Sequence, residues 1–418
     1  MDIMDIARRK ERPAHRVFSA GFYGGSWDHD VRSVLGKAPR GGADVGEVLS
    51  TIAAVEPHDT EAWPTAWIAL GDRVGAVAAR AAERGHRVSA ARAHLRAANY
   101  LAVAVNALAG RTDAEDRLQA VFRRHRAEWD GFTAQSGWDV RVLDLPYGDG
   151  TMPGLLFRPD AAGSPRPTLV MVNGSDGSIS GLWCEGAEGA LERGYNVLLF
   201  DGPGQQSMLL DQGVVFRPDW EAVLTPVVDV LLGRDDTDPA AVVAYGISQG
   251  GYWLPRALAF EHRFAAAAVD GGVVDVSRSW WAHIPDSLRK AYDKGEKEKF
   301  DRDMALGFKL PGGKAAERTW AFRARPYGTR GYAETLDAVS AYSLTDALCA
   351  RIETPLFVAA PHNEEFFPGQ SQELAAAVPG AEPVEFTAAE GADRHCQPLA
   401  RELTEQRVFD WMDERLGR

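Results

Sequence analysis

The segment from Ala241 to His262 constrains the fold of this chain more strongly than any other. It begins with the short apolar run Ala241 to Tyr245, continues as Gly246-Ile247-Ser248-Gln249-Gly250, and ends in the helix-compatible stretch YWLPRALAFEH. A serine between two glycines at a strand-to-helix turn presents its hydroxyl at the end of a parallel sheet, and the glycines let neighbouring backbone approach closely. The segment therefore predicts an α/β fold in which Ser248 is a nucleophile.

The sequence around this segment alternates strand and helix signals. Short apolar runs at Thr168 to Val172 and Asn196 to Phe200 are typical of strands buried on both faces of a parallel sheet. Helical stretches separate the runs, at Trp183 to Arg193 and Trp220 to Leu232. Before them, VRVLDLPYGDGTMPGLLFRP reads as two strands joined by a turn. This alternation indicates an α/β fold with a mostly parallel sheet and helices on both faces.

The chain is too long for one hydrophobic core, because 418 residues exceed the size at which single cores stop growing. The first ~135 residues read as helical, since apolar residues recur every three or four positions. One such face carries Trp63, Trp67, Leu70, Val74 and Val77. We predict a helical domain at 1–135, a first sheet part at 136–275, a cap insertion at 276–344 and a second sheet part at 345–418.

A serine hydroxyl needs a base within hydrogen-bond reach and an acid that orients the base. His395 follows a strand-like run and precedes the terminal helix, where this fold places its base. The acid is expected in the loop PHNEEFFPG, in which Glu364 and Glu365 compete. Glu364 is favoured because it lies four residues before Pro368, whereas His362 is better placed to line the site than to act as base.

Attack on a carbonyl creates an oxyanion that backbone N–H groups must stabilise. One donor is expected from Gln249, directly after the nucleophile. The second is expected at Ser175, in the glycine-rich loop Asn173-Gly174-Ser175-Asp176-Gly177 that follows an early strand.

Composition and motifs exclude several other classes of function. A net charge of -13 disfavours nucleic acid and anionic membrane surfaces as partners. The first fifteen residues do not resemble a secretory signal, no long apolar run is present, and three cysteines without paired spacing favour a reducing cytoplasm. The segment DGPGQQS lacks a full dinucleotide fingerprint, and no metal-ligand spacing occurs, so we expect neither cofactor nor metal.

Four motifs together resemble one branch of the α/β-hydrolases. They are FDGPGQQS, YGISQGGYW, EGADRHCQ and SAARAHLRAANYL, and the resemblance spans roughly residues 60 to 415. The branch contains 2,6-dihydroxypseudooxynicotine hydrolase, FrsA-like esterases and fungal pigment polyketide-shortening hydrolases. The resemblance implies a helical domain that covers the site, a homodimer, and cleavage of esters or of carbon–carbon bonds next to ketones in aromatic or polyketide-like molecules.

The chain departs from the branch in two places: the acid is Glu where Asp is usual, and Gln206 stands where Gly is common. Some relatives use an additional carboxylate, and Asp275 is the candidate by position. The alternative for Asp275 is that it caps a helix at the start of the cap insertion.

Three functions remain open from the sequence. The leading one is hydrolysis of a small molecule, which the aromatic residues Trp63, Trp67, Trp280, Trp281, Phe366 and Phe367 suggest is apolar or aromatic. The second is acyl transfer, cyclisation or elimination by the same residues in natural-product assembly. The third is a non-catalytic interaction protein, against which the ordered serine, acid and histidine argue.

Overall fold

The computed structural model describes residues 21–23 and 26–418. Residues 1–20, with which the predicted helical domain begins, and residues 24–25 lie outside the described residues. The described chain opens with five helices, which are α1 (Ser26–Leu35), α2 (Val45–Ile52), α3 (Ala62–Glu83), α4 (Arg87–Ala109) and α5 (Glu115–Gln135).

An eight-stranded sheet follows these helices. Its strands are β1 (Asp139–Tyr147), β2 (Gly150–Arg158), β3 (Arg166–Val172), β4 (Asn196–Phe200), β5 (Thr237–Ile247), β6 (Ala266–Asp270), β7 (Leu356–Pro361) and β8 (Ala381–Phe386). Their spatial order is β1-β2-β4-β3-β5-β6-β7-β8. Strand β2 is antiparallel to both of its neighbours, and every pairing from β4 to β8 is parallel. The predicted α/β-hydrolase fold is thus confirmed.

Helices connect the strands and cover the sheet. Those of the sheet domain are α6 (Ile179–Leu182), a π-helical turn (Trp183–Ala187), α7 (Glu188–Glu192), α8 (Gln206–Leu210), α9 (Glu221–Leu232) and α10 (Gly250–Leu258). Between β6 and β7 lie α11 (Arg278–Trp281), α12 (Asp286–Asp293), α13 (Lys297–Phe308), α14 (Gly313–Ala324), α15 (Tyr332–Ser340) and α16 (Asp346–Cys349). The last two are α17 (Gln370–Ala377) and α18 (Arg401–Arg415). Among the described residues no helix is both long enough and apolar enough to cross a membrane.

The central strands form because apolar side chains occur on both of their faces. Along β3, Val170 and Val172 join one hydrophobic cluster, whereas Leu169 and Met171 join a second cluster on the other face. Every residue of β4 is buried, and its bounds agree with the run predicted from the sequence. This double burial fixes the plane of the sheet and the direction in which β5 delivers Ser248.

Helices α3, α4 and α5 form the core of the helical domain, where Trp63 and Trp67 are fully buried. The predicted face of α3 is wrong at its end, because Val77 is 42% exposed and Ala78 is buried in its place. The helical period of 3.6 residues moves the buried stripe by one position there. Trp27 of α1 stacks on Trp63, with ring centroids 4.4 Å apart, and thereby holds α1 against this domain.

The charged stretch RKAYDKGEKEKFDRD between β6 and β7 forms parts of two helices. Helix α12 ends at Asp293 and α13 begins at Lys297. Gly295, between them, has a φ of +75°, a conformation that glycine adopts without steric cost and that ends an α-helix.

Candidate active site

Ser248 lies at the turn between β5 and α10 with a φ of +54°. A non-glycine residue adopts this left-handed conformation only where the surrounding structure enforces it. Here the backbone N–H of Ser248 donates to the carbonyl of Asp270 at 2.6 Å. A Cβ on Gly246 would lie 2.6 Å from the Gly250 oxygen, and a Cβ on Gly250 would lie 2.7 Å from the Val172 oxygen. Both flanking glycines are therefore required by the tightness of the turn.

Ser248, His395 and Glu364 form a continuous chain of hydrogen bonds. The distance from Ser248 Oγ to His395 Nε2 is 2.9 Å, and that from His395 Nδ1 to Glu364 Oε2 is 2.8 Å. The other carboxylate oxygen of Glu364 accepts the backbone N–H groups of Phe366 at 2.8 Å and Phe367 at 3.1 Å. These bonds orient the carboxylate, which in turn orients the imidazole toward the serine.

Burial and charge act in opposite directions on this histidine and this carboxyl. Burial raises the pKa of Glu364, but the charge of His395 and the hydrogen bond to it outweigh burial, so the net shift is downward. For His395, burial lowers the pKa, while Cys396 and Glu364 raise it, and the net value lies well above the ordinary histidine value. Since burial raises the pKa of the Cys396 thiol to about 11, this thiol is neutral near pH 7, and Glu364 supplies the negative charge there.

The structure separates the two competing acids. Glu365 pairs with Arg394 and does not contact His395. His362 lies at the surface, with Nε2 3.3 Å from Glu385, and is not among the residues around Ser248. The loop PHNEEFFPG therefore contributes Glu364 alone to the hydrogen-bonded chain.

The loop Asn173-Gly174-Ser175-Asp176-Gly177 approaches the serine most closely at Gly174. A Cβ on Gly174 would lie 2.8 Å from Ser248 Cβ. The amide of Gln205 fixes the loop by donating to the carbonyls of Asn173 at 2.9 Å and Gly174 at 3.1 Å. Within the described part of the chain, the backbone N–H groups of Ser175 and Gln249 have no protein acceptor. Both N–H groups therefore keep an unused donor, and their role as an oxyanion hole stays a prediction.

A cavity of about 140 Å³ adjoins Ser248 and His395. Its lining combines apolar and polar surface and includes polar residues of the helical domain, which are His29, Asp30, Ser33, Lys37, Asn99 and Asn106. The tryptophans expected near a substrate are not in this lining: Trp63 and Trp67 are core residues, Trp280 packs on Trp320, and Trp281 packs on Tyr292. Phe366 and Phe367 do flank His395, at 4.8 and 5.8 Å between ring centroids.

Helix α1 contributes to this cavity, which the sequence did not predict. His29 lies 6.2 Å from His395 between ring centroids, and burial lowers the pKa of His29 to about 3, so it is neutral there. Lys37 pairs with Glu185 at 3.1 Å. The sequence signal that could have revealed this face is the polar spacing of four residues from His29 to Ser33 to Lys37, which places all three on one side of a helix.

A buried ion pair beneath the site was also missed. Arg401 donates from Nη1 to Asp270 Oδ2 and to the Cys396 carbonyl, both at 2.8 Å. From Nη2 it donates to the Glu185 carbonyl at 2.6 Å and to Tyr245 Oη at 3.0 Å. Arg401 therefore links strands β5 and β6 to the loop that carries His395.

Asp275 contacts the turn before α11. Its Oδ1 accepts the backbone N–H of Ser277 at 2.8 Å and the Ser277 hydroxyl at 2.7 Å. It also lies 3.6 Å from Arg278 and is not in the cavity lining. Ser277 is the residue that precedes α11, so the carboxylate is held in the turn and does not cap the helix itself. The role of Asp275 as an auxiliary acid stays a prediction.

The cysteines and other ligand-type residues offer no clustered site in the described chain. Cys184 and Cys349 are buried free thiols, and Cys396 Sγ donates to the Asp270 carbonyl at 3.2 Å. Within residues 21–23 and 26–418, no three His, Cys, Asp or Glu side chains are grouped closely enough to hold a metal ion.

Comparisons with known proteins agree with this fold. The chain is similar to Hydrolase acrC of Aspergillus aculeatus, with 30% identity over 94% of this chain and 97% of the relative. It is also similar to Alpha/beta hydrolase psoB of Aspergillus fumigatus, with 28% identity over 96% and 95% of the two chains. Among solved structures, 2,6-dihydroxy-pseudo-oxynicotine hydrolase superposes with a TM-score of 0.70 at 20% identity, over 90% of this chain and 94% of that one. No protein-family profile matches the chain.

Fold, full-length similarity and the named relatives together define the class of protein. The chain belongs to the α/β-hydrolase family together with these fungal hydrolases, and it shares the fold of 2,6-dihydroxy-pseudo-oxynicotine hydrolase.

Proposed function

We propose that Ser248, His395 and Glu364 are the catalytic triad of a serine hydrolase that cleaves an ester, or a carbon–carbon bond next to a ketone, in a small molecule. The observation that carries this proposal is the unbroken hydrogen-bonded chain from Glu364 through His395 to Ser248 Oγ, at 2.8 and 2.9 Å. Its location beside a cavity gives a substrate carbonyl access to the serine.

In the first half-reaction, Ser248 Oγ attacks the substrate carbonyl while His395 Nε2 takes the serine proton. Glu364 stabilises the imidazolium that forms. The resulting oxyanion accepts the backbone N–H groups of Ser175 and Gln249, which have no acceptor among the described residues. The tetrahedral intermediate collapses to an acyl-enzyme on Ser248 as the leaving group departs. In ester cleavage, protonated His395 gives its proton to the departing oxygen, whereas in carbon–carbon cleavage it releases its proton to solvent, so His395 is neutral again in both cases.

In the second half-reaction, water attacks the acyl-enzyme with neutral His395 as the base. The proton then passes from His395 back to Ser248, and the carboxylic acid product leaves. Each half-reaction uses the same three side chains and the same two backbone donors.

The cavity supports a substrate that is rich in hydrogen-bonding groups. Asn106 and Lys37 lie in the lining. Asn106 Nδ2 uses one proton for the Asp176 carbonyl, and Lys37 Nζ uses two for the Ser33 carbonyl and Glu185, so each keeps one donor for a carbonyl or hydroxyl oxygen. Phe366 and Phe367 lie beside His395 and offer an apolar surface to an aromatic end of the substrate. We therefore propose a compact molecule with two or more oxygen functions and one apolar end.

The test is product analysis in isotopically labelled water, with p-nitrophenyl acetate as the ester and benzoylacetone as the 1,3-diketone. Hydrolysis predicts one labelled oxygen in the carboxylic acid product. An acid product without label would contradict hydrolysis and favour transfer to another acceptor. Ser248→Ala should abolish turnover, whereas Ser50→Ala, which removes an exposed hydroxyl from α2, should retain it.

Assembly as a homodimer remains a prediction for this chain. Analytical ultracentrifugation at micromolar concentration would test it, and a purely monomeric boundary would contradict it.

A further inference from the structure

Helix α1 brings an acid into the same cavity as Ser248 and His395. Asp30 lies in the cavity lining together with both of these residues. Its helix is close to the reacting groups, since His29, the preceding residue, has its ring 6.2 Å from that of His395. The triad does not use Asp30.

The carboxyl of Asp30 has no hydrogen-bond or ion-pair partner among the described residues. Two residues earlier on the same helix, Asp28 accepts the backbone N–H groups of Phe22 at 2.8 Å and Tyr23 at 2.6 Å and lies 3.6 Å from Arg32. Asp28 is thus a structural residue of the helix start, whereas Asp30 faces a cavity without being held there.

The charges around Asp30 favour its protonated form. The titratable or charged groups that share the cavity with it are His29, Lys37, Asp176, Glu185, His395, Cys396 and Arg401. Burial raises the pKa of Asp30 to about 7. The negative charge of Asp176 also raises this pKa, whereas the positive charge of Lys37 lowers it. Lys37 forms an ion pair with Glu185 at 3.1 Å, which compensates part of its positive charge. A large fraction of Asp30 therefore carries a proton at neutral pH.

A proton donor is needed for one of the two proposed reactions and not for the other. Cleavage of a carbon–carbon bond next to a ketone expels an enolate, which is a strong base and leaves readily only when it is protonated. Cleavage of a nitrophenyl ester expels nitrophenolate, which is stable as an anion. Both substrates therefore require the triad, and only the diketone also requires a general acid.

We propose that Asp30 is the general acid that protonates the leaving enolate when the enzyme cleaves a carbon–carbon bond next to a ketone. This inference rests on the proposed function of the triad.

Carbon–carbon cleavage moves one proton from Ser248 and one from Asp30. Ser248 Oγ bonds to the carbonyl carbon and its proton moves to His395. The bond between the carbonyl carbon and the adjacent carbon breaks, and its electron pair becomes the enolate. Asp30 transfers its proton to the enolate oxygen, and the enol leaves and tautomerises to the ketone. His395 releases its proton to solvent and Asp30 takes one from solvent before water attacks the acyl-enzyme.

The test compares Asp30→Asn with wild type on benzoylacetone and on p-nitrophenyl acetate. Asparagine keeps the size of the side chain but has no proton to transfer. We expect kcat for the diketone to fall by about 10²-fold or more, with KM within a few-fold, and kcat for the ester to stay within about two-fold. Asp116→Asn, which removes an exposed acid from α5, should leave both activities unchanged.

The pH profile gives an independent readout that a merely structural role would not move. Both reactions need neutral His395, so the ratio of diketone to ester cleavage isolates Asp30. In wild type this ratio should decrease above pH 7 as Asp30 loses its proton. Asp30→Asn should remove the decrease, and Asp30→Glu should restore part of the diketone activity.

Equal losses on both substrates, or no loss on either, would overturn the role of Asp30 and leave the triad intact. Wild-type cleavage of the ester without the diketone would overturn it as well and keep only the ester branch of the proposed function. If wild type cleaved neither substrate, the proposed function would fall together with it.

Discussion

Glu364 Oε2 lies 2.8 Å from His395 Nδ1, and this contact distinguishes Glu364 from its neighbour in the chain. Glu365 pairs instead with Arg394. The same imidazole then reaches Ser248 through its other nitrogen, at 2.9 Å. The orientation of the proposed base thus depends on one of two consecutive glutamates.

We predict that Glu364→Gln lowers kcat by about 10³- to 10⁴-fold, because an amide neither fixes the required tautomer of His395 nor stabilises its imidazolium. Steady-state kinetics on p-nitrophenyl acetate would measure the effect. Glu365→Gln is the matched control and should change kcat less than about three-fold. Similar losses in the two variants would contradict the assignment.

The pH dependence of ester cleavage should report the pKa of His395. Only the neutral imidazole accepts the serine proton. Burial lowers the pKa of His395, but the neighbouring carboxylate of Glu364 raises it, and the net shift is upward. Activity should therefore be low where His395 is protonated and increase as the pH rises through a pKa above the ordinary histidine value of about 6.5. A profile of kcat/KM against pH that is already flat at pH 6 would argue against this electrostatic account.

Gly174→Ala should damage catalysis without unfolding the protein. The added methyl would lie 2.8 Å from Ser248 Cβ and 3.4 Å from its Oγ, and would displace the serine from the carbonyl it attacks. We expect the misplaced serine to lower kcat by about 10²-fold. Gly307→Ala, whose methyl meets no atom within 4 Å, is the control and should keep wild-type activity. Full activity in Gly174→Ala would show that the loop is not positioned as described.

Arg401→Met should destabilise the fold, because it leaves the fully buried carboxylate of Asp270 without its cationic partner. Loss of one member of a buried ion pair costs about 3–5 kcal/mol in the free energy of unfolding. Arg415→Met, on the same helix, breaks a half-exposed pair with Glu382 and should cost about 0–1 kcal/mol. Urea denaturation of the two variants would measure the difference, and equal midpoints would contradict the role of the buried pair.

Local sequence signals predicted the elements that are determined locally. The run Asn196 to Phe200 predicted the bounds of β4. A run of five residues is long enough for a buried strand but too short for a typical helix. The glycine spacing around Ser248 indicated the turn for a related reason, since any Cβ at Gly246 or Gly250 would meet backbone oxygen.

Contacts between distant segments could not be predicted in the same way. Asp30 and Lys37 reach the cavity because Trp27 packs on Trp63, a contact within the helical domain that no pattern near Ser248 reveals. Asp275 shows the converse: its position suggested an acid, but its bonds to Ser277 are local contacts in the turn before α11. The spacing to Pro368 favoured Glu364, while the N–H groups of Phe366 and Phe367 that orient its carboxylate become visible only in the folded loop.

The most direct test of the central claim is to map the site at which a fluorophosphonate probe attaches to the protein. We predict one covalent adduct per chain, located on Ser248 by peptide mass spectrometry, absent from Ser248→Ala and retained by Ser50→Ala. An adduct on any other residue, or equal labelling of Ser248→Ala and wild type, would contradict the role of Ser248 as the nucleophile.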